Sequence, residues 1–222
     1  MTELVRAVQL FKEEWAPARA LWEHADPRLF AATPREPIAR IMEIMPTAFG
    51  ALVRAIGHQQ VSIYAGRAII GRLVDACGGT MDPEVVLGLS EEELRAVGLS
   101  RRKGVYLRAL AQAAVTGELE DLESLPEEEV TQRLVQLPGI GIWTARMFCI
   151  FHMERPDVFS GGDLGLREGI RILDMQEAQL TSAEAERRAE AWRPYRSVAA
   201  VSLWDLVRRT RAGTPSAGPA TV

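Results

Sequence analysis

The sequence has little of what marks several large classes of protein. Two cysteines in 222 residues, Cys77 and Cys149, are too few for a disulfide framework or for a four-cysteine iron–sulfur cluster. No stretch approaches the roughly 18 apolar residues of a membrane-spanning helix. Residues 1–11 mix acidic and basic side chains and contain no apolar signal segment. We therefore expect a cytoplasmic protein with two buried, reduced thiols.

Strand patterns are also nearly absent, and helical periodicity takes their place. Apolar residues recur at i, i+3 and i+4 in residues 4–22, 49–77, 105–115 and 198–209. The pattern predicts an all-α fold. Before residue 45 it predicts one long amphipathic helix and a proline-broken connector, residues 27–37.

The chain has no excess of positive charge, since its formal net charge is −4. This balance argues mildly against nucleic-acid binding, but affinity for nucleic acid depends on the local basic face. The acidic residues cluster in the segments 91–93, 118–123 and 127–129. These segments can face away from such a partner.

Short polar patterns predict where several elements begin and end. Thr47 and Asp82 precede apolar or proline-led helical runs, and Ser90 with Glu93 fits a capping box. Residues 211–222 are rich in Gly, Pro, Ala, Ser and Thr. That composition predicts a disordered tail.

The most informative run is Leu-Pro-Gly-Ile-Gly-Ile-Trp-Thr-Ala, residues 137–145. Gly139 and Gly141 allow a tight reversal between two helices, because glycine tolerates positive φ. The second helix is predicted to start near Ile142. Its N-terminus carries backbone N–H donors and partial positive charge, which suits a DNA phosphate.

A second informative feature is Asp163, which follows Gly161 and Gly162 and precedes an apolar helix, residues 164–173. An isolated carboxylate can stabilise positive charge that builds on a sugar, or it can orient an attacking water. The alternative is a structural role, because an Asp in this place also caps the helix. Both roles are compatible, since capping fixes the carboxylate.

The hairpin, the glycine-rich loop and the Asp, in this order, resemble the helix-hairpin-helix (HhH-GPD) DNA glycosylase superfamily. Within it, the chain is most similar to the 3-methyladenine DNA glycosylase II (AlkA-like) family, over roughly residues 45–210. The resemblance implies two helical subdomains with a DNA- and base-binding cleft between them. The long sheet domain that precedes the helical core in some relatives does not fit before residue 45, where at most a small piece remains.

The expected organisation has four parts. They are an N-terminal segment that packs with the C-terminal helices (1–48), a six-helix region with the hairpin at about 133–150 (49–160), the Asp loop with the C-terminal helices (161–210), and the tail (211–222). We expect a monomer, because the helical core accounts for the apolar content. A bacterial source would place it at the nucleoid.

The resemblance implies specific roles for the residues of the motif. Asp163 is the expected catalytic carboxylate. Trp143 stands where relatives with lyase activity have a nucleophilic lysine, which implies a monofunctional enzyme that leaves an abasic site. Trp143, Tyr195 and Met147 are expected to line the base pocket, where an indole face suits a cationic base. A core tryptophan is the alternative for Trp143.

Further residues are expected to hold the DNA. Gln60, preceded by Gln59, occupies the place of the side chain that fills the gap left by a flipped base; two surface glutamines in a helix-joining loop are the alternative. The backbone N–H groups of Gly139, Gly141 and Trp143 are expected to bind phosphate. Six cations are candidate phosphate contacts: Arg101, Arg102, Lys103, Arg146, Arg167 and Arg196.

No cofactor is required by this resemblance, although its members commonly bind one monovalent cation through hairpin carbonyls, here those of Val135, Leu137 and Ile140. The expected reaction is hydrolysis of the N-glycosidic bond of alkylated bases, such as 3-methyladenine and 7-methylguanine, in duplex DNA. Two alternatives remain: a glycosylase for another damaged or mispaired base, and a non-catalytic helix-hairpin-helix DNA-binding module.

Overall fold

The computed structural model describes residues 5–43 and 45–213. The chain divides into two compact units, and each unit is built from separate stretches of sequence. Unit 1 contains residues 1–6 and 41–153, and unit 2 contains residues 7–40 and 154–222. The predicted organisation placed the main division at residue 160, whereas unit 1 ends at Met153.

The N-terminal region departs from the predicted long helix. Strand β1 (Val5–Gln9) pairs with strand β2 (Ala39–Glu43) in a two-stranded sheet, so the prediction of a helix from residue 4 was wrong for this part. Valine favours a pleated, paired backbone when a second strand is available, and local periodicity does not register that pairing. The chain then turns at Phe11, whose φ is 55°, and α1 (Lys12–Ala25) begins.

The proline-rich connector also contains a helix that the sequence reading missed. α2 (Pro27–Ala32) starts with Pro27 at its first position and Asp26 as its N-cap. The Asp26 carboxylate accepts a hydrogen bond from the Leu29 N–H over 3.1 Å. Proline is well tolerated at this position because its φ is preset and no N–H is needed there.

Unit 1 is helical, and its described part holds seven α-helices where six were predicted. They are α3 (Ala48–His58), α4 (Ile63–Ala76), α5 (Pro83–Gly88), α6 (Glu91–Ala96), α7 (Arg101–Val115), α8 (Glu127–Leu134) and α9 (Ile142–Phe151), with a short 3-10 turn at Leu122–Ser124. α3 packs against α4, α7 and α9. Its buried face, which includes Leu52 and Ile56, forms the core of the unit.

The predicted helix starts of unit 1 are confirmed. The Thr47 and Asp82 side chains accept hydrogen bonds from the first turns of α3 and α5. Ser90 and Glu93 form the reciprocal capping box of α6. Cys77 and Cys149 are both buried and neither forms a disulfide, and burial raises the pKa of the Cys77 thiol.

Unit 2 combines α1 and α2 with three C-terminal helices, α10 (Leu164–Leu173), α11 (Ser182–Ala189) and α12 (Arg196–Arg211). α12 packs along α10 and also contacts α1 and α2. The core is built around three fully buried indoles, those of Trp15, Trp22 and Trp192. The N-terminal stretch is therefore part of the same core as the C-terminal helices.

The C-terminal tail was predicted to start at residue 211, but Arg211 is the last residue of α12. The rest of the predicted tail, residues 214–222, lies outside the described residues. Within the described ranges, every helix is too short or too polar to cross a membrane.

Candidate active site

The hairpin forms as the sequence predicts, between α8 and α9. Gly139 has a φ of 85°, and a Cβ at this position would lie 2.2 Å from Cδ2 of the Tyr106 ring. Both the conformation and the close approach require glycine there. Gly141 acts differently, since it is the N-cap of α9 with a φ of −95°.

The first turn of α9 presents apolar side chains outward. Ile142 is 59% exposed and Trp143 is 47% exposed, so the alternative of a core tryptophan does not hold. Met147, one turn further along α9, is buried. The helix therefore offers an accessible indole beside the N-terminus that the hairpin creates.

The loop between α3 and α4, residues 59–62, is termed the wedge loop. Gln60 is exposed and has a φ of 55°, a conformation that residues other than glycine rarely adopt. Gln59 is half-buried, and its Nε2 donates a hydrogen bond to the carbonyl oxygen of Gly139 over 2.9 Å. The two glutamines thus differ in role. Gln59 bonds the wedge loop to the hairpin, whereas the side chain of Gln60 is exposed to solvent.

Lys103, on α7, also holds the wedge loop in place. Its Nζ donates to the carbonyl oxygens of Gly57 over 2.8 Å and of Gln59 over 2.7 Å. Partial burial lowers the pKa of the Lys103 ammonium. The prediction of Lys103 as a phosphate contact is therefore not supported, since its ammonium is used inside the protein to fix the backbone before Gln60.

In unit 2, Asp163 is the N-cap of α10, as the structural alternative for this residue predicted. Its Oδ1 accepts the Leu166 N–H over 2.8 Å. The same oxygen accepts a second hydrogen bond from Nε1 of Trp204, on α12, over 3.0 Å. The carboxylate is half-buried and is oriented by donors from two helices.

The loop before Asp163 is fixed against α11. The Gly161 N–H donates to Oε1 of Glu186 over 2.9 Å, and the Asp163 N–H donates to the Ser160 carbonyl over 2.8 Å. A Cβ at Gly161 would lie 2.5 Å from the carbonyl oxygen of Ser182. A glycine is needed here because backbone of α11 occupies the space of a side chain.

Tyr195 and Arg196 begin α12 in unit 2. Tyr195 is half-buried and serves as the N-cap residue of the helix. Arg196 is only 8% exposed, and its Nε donates to Oδ1 of Asp157 over 2.8 Å. The prediction of Arg196 as a phosphate contact is therefore wrong, because its guanidinium forms an ion pair with Asp157. The two residues are 39 positions apart in the sequence, so the local pattern did not indicate the pair. Arg167 donates to the Leu180 carbonyl over 3.1 Å.

Sequence reasoning missed Trp204 and the internal role of Lys103. The only hint of Trp204 was the glycine spacing of α10, since Gly165 and Gly169 lie on one face of that helix and permit close packing. Nothing in the local sequence distinguishes Lys103 from its neighbours Arg101 and Arg102. Both residues act through contacts with distant backbone or side chains.

Among the described residues, no group of three or more His, Cys, Asp or Glu side chains is placed to hold a metal ion. The hairpin carbonyls are a different donor set. The Leu137 carbonyl accepts the Ile140 N–H over 3.1 Å, and a carbonyl oxygen has a second lone pair. Oxygen donors of this kind suit a hard cation, so the hairpin is chemically compatible with the predicted monovalent ion.

Comparison with known proteins gives consistent matches. The HhH-GPD superfamily of base excision DNA repair proteins matches residues 53–194. DNA-3-methyladenine glycosylase 1 of Schizosaccharomyces pombe is 35% identical over 158 residues, 69% of each chain. The solved S. pombe 3-methyladenine DNA glycosylase in complex with abasic DNA superposes with a TM-score of 0.75 at 30% identity, covering 85% of this chain and 95% of that one.

A second solved structure, the DNA-3-methyladenine glycosidase of Bacillus halodurans, has a TM-score of 0.76 at 32% identity and covers 93% of this chain and 94% of that one. The region that matches the HhH-GPD superfamily, residues 53–194, contains the wedge loop, the hairpin and Asp163. The chain therefore belongs to the HhH-GPD superfamily of base excision DNA repair proteins.

Proposed function

We propose that this protein is a monofunctional DNA glycosylase that hydrolyses the N-glycosidic bond of alkylated bases in duplex DNA, as a step of base excision repair. The observation that carries the proposal is the Asp163 carboxylate, which donors from α10 and α12 hold in one orientation. The relatives named as 3-methyladenine DNA glycosylases support the substrate class. We expect the protein to act as a monomer.

The proposed reaction breaks the bond between C1′ of the deoxyribose and the base nitrogen. The bonding electrons leave with the base, and positive charge builds on the sugar. The Asp163 carboxylate stabilises that charge and orients the water that adds to C1′, and the added water releases a proton to solvent as the C1′ hydroxyl forms. A 7-methylguanine or 3-methyladenine base is already cationic and leaves as a neutral molecule, so modest stabilisation of the transition state suffices.

The hairpin is proposed to anchor the phosphate backbone. The N–H groups of Gly141 and Trp143 lie at the start of α9, and that of Gly139 lies in the turn before it; the helix dipole and the backbone donors there favour an anion. This grip is independent of base sequence, as a search for rare lesions requires. If the monovalent cation is bound, the carbonyls of Val135, Leu137 and Ile140 would hold it, and it would add positive charge beside the phosphate.

Three side chains are proposed to recognise the base, Trp143 and Met147 of unit 1 and Tyr195 of unit 2. Trp143 offers an exposed indole on unit 1, and an indole face attracts a cationic ring. Met147, buried below it on α9, supplies a polarizable apolar wall. In unit 2, Tyr195 is half-buried at the start of α12 and provides a second aromatic surface.

Gln60 is proposed to enter the base stack where the lesion leaves it. The residue is exposed at the tip of the wedge loop, and its backbone is fixed by the hydrogen bonds of Gln59 and Lys103. Extruding a base costs a few kcal/mol, part of which an inserted side chain offsets. An amide can also hydrogen-bond to the base left without a partner.

The test is base release from randomly methylated duplex DNA, resolved by base, for the wild type and Asp163→Asn. Asparagine caps a helix as well as aspartate does, so the variant keeps the fold and loses only the charge. Release of 3-methyladenine or 7-methylguanine by the wild type, and its loss in the variant, is the expected result. Asp82→Asn, at the N-cap of α5, is the matched control and should retain full activity.

Two outcomes would overturn parts of the proposal. Equal release by the wild type and Asp163→Asn would remove the catalytic role from Asp163. An absence of release by both, with DNA binding intact, would favour first a different lesion class and then a DNA-binding module without catalysis.

A further inference from the structure

Two hydrogen bonds converge on one oxygen of Asp163, and they have different origins. The bond from the Leu166 N–H, at 2.8 Å, is the local N-cap bond of α10. The bond from Nε1 of Trp204, at 3.0 Å, comes from a residue 41 positions later in the chain. A helix cap needs only the first of these bonds, so the second requires another explanation.

The approach of Trp204 depends on two glycines of α10. A Cβ at Gly165 would lie 3.0 Å from Cδ1 and 3.1 Å from Nε1 of the Trp204 indole. A Cβ at Gly169 would lie 2.8 Å from Cβ of Leu203. Because both glycines lie on one face of α10, α12 can pack close enough for the indole to reach the carboxylate. The same Cβ would lie 3.1 Å from Oδ1 of Asp163, so a side chain at Gly165 would require the indole or the carboxylate to shift by a few tenths of an ångström.

α12 is fixed on both sides of Trp204. Leu203 is completely buried. Asp205 is 5% exposed and pairs with Arg209, whose Nη2 also donates to the Ala32 carbonyl over 2.6 Å. Trp204 itself is half-buried. The buried neighbours of Trp204 therefore hold this part of α12 in place, and with it the indole that bonds to Asp163.

We propose that Trp204 is a positioning residue for Asp163, an inference that rests on the proposed catalytic role of that carboxylate. The indole N–H adds a second donor to the oxygen that caps α10, and it restricts the rotation of the carboxylate. An oriented carboxylate stabilises developing charge without reorganising during the reaction. Gly165 is the second part of the arrangement, because it leaves the space that the indole occupies.

The decisive variant is Trp204→Phe, which removes the N–H and keeps most of the ring. Under single-turnover conditions with 7-methylguanine DNA, base release should slow by about 10- to 100-fold, the loss expected for a hydrogen bond to a charged group. Affinity for a duplex with an abasic site should not change, since Trp204 acts on the chemical step. Gly165→Ala should also slow release, because the added Cβ crowds both the indole and the Asp163 carboxylate.

A double-mutant cycle separates positioning from a merely structural role. Asp163→Asn should slow release much less in the Trp204→Phe background than in the wild type, because the two residues act as one unit. Trp15→Phe is the control, since it removes another buried indole hydrogen bond of unit 2, to the Pro34 carbonyl. It should lower stability and leave the single-turnover rate unchanged.

A spectroscopic measurement tests the contact without any activity. The indole ¹H–¹⁵N resonance missing in Trp204→Phe identifies Trp204 among the five tryptophans. Asp163→Asn should shift that resonance more than the others. An unshifted resonance, a wild-type release rate in Trp204→Phe, or additive effects in the cycle would each overturn the inference. A wild type that releases no base would instead defeat the proposed function, and the inference with it.

Discussion

Nε2 of Gln59 donates a hydrogen bond to the carbonyl oxygen of Gly139 over 2.9 Å. This bond joins the wedge loop to the hairpin, two segments of unit 1 that are 80 residues apart. The proposed function gives the segments separate tasks, because one fills the gap of a flipped base and the other grips a phosphate. Their direct connection means that the geometry of one constrains the other.

Replacing Gln59 should therefore weaken DNA binding. Gln59→Leu removes one neutral hydrogen bond, worth about 1 kcal/mol, and the loss of this constraint on the wedge loop should lower DNA affinity roughly five-fold. The measurement is the Kd for a duplex with an abasic site. Gln179→Leu, at an exposed position of unit 2, is the control; equal affinities of the two variants would show that the bond has no role in DNA binding.

Gly139→Ala should disrupt the hairpin. The positive φ of 85° disfavours alanine, and its Cβ would overlap the Tyr106 ring, so we expect a loss of about 2 kcal/mol or more of unfolding free energy. DNA binding should fall in parallel. Gly71→Ala is the matched control, because Gly71 lies inside α4 with no atom near the added Cβ.

Helix propensity predicts that the Gly71→Ala control is more stable than the wild type by up to about 1 kcal/mol. Denaturant unfolding of the two variants measures both effects. If the two variants lost the same stability, neither the backbone conformation nor the Tyr106 contact would explain the requirement for glycine at the hairpin.

Trp143→Ala should impair recognition of cationic bases without damaging the fold. The side chain is 47% exposed, so its removal should disturb the core much less than removal of a fully buried tryptophan would. Loss of a stacking aromatic costs about 1–3 kcal/mol, and kcat/KM for 7-methylguanine release should fall by about 5- to 150-fold. Ile142→Ala, the even more exposed neighbour, is the control. A normal kcat/KM in Trp143→Ala would remove the indole from the proposed base pocket.

Acid should weaken unit 2 through Asp26. Burial raises the pKa of this carboxyl, but hydrogen bonds from Trp192, Arg188 and the Leu29 N–H outweigh burial and lower the pKa below its usual 3.8. The ionised form is thus favoured in the folded state. Its stabilisation is complete above the unfolded-state pKa and is lost as the pH falls through the lower folded-state pKa.

Asp26→Asn should cost about 3 kcal/mol of unfolding free energy at neutral pH, near the lower limit for a broken buried pair, because Arg188 keeps its second partner, Asp174. The difference from the wild type should narrow below about pH 4, as Asp26 becomes protonated in the wild type. Denaturant unfolding at a series of pH values measures this, with the exposed Asp75→Asn as control. A difference independent of pH would contradict the assigned pKa direction.

Local patterns were reliable at most places where the structure is decided within one turn of helix, although the cap of α2 at Asp26 and Pro27 was overlooked. The caps at Thr47, Asp82 and Ser90 formed as predicted, and so did the reversal at Gly139, because each depends on hydrogen bonds or dihedral angles a few residues apart. The same reasoning failed for β1. Its conformation depends on pairing with β2, about 30 residues later, which periodicity does not record.

The sequence by itself determined the helical fold class, the hairpin, the family and the place of Asp163 at the start of α10. Motif order and helix caps depend on residues that are close together in the sequence. Only the tertiary structure decided which side chains hold these parts. It brought the indole of Trp204 to Asp163 and the ammonium of Lys103 to the wedge loop. It also paired the guanidinium of Arg196 with the Asp157 carboxylate. Such partners are far apart along the chain, and the packing of helices, not the local sequence, determines which of them meet.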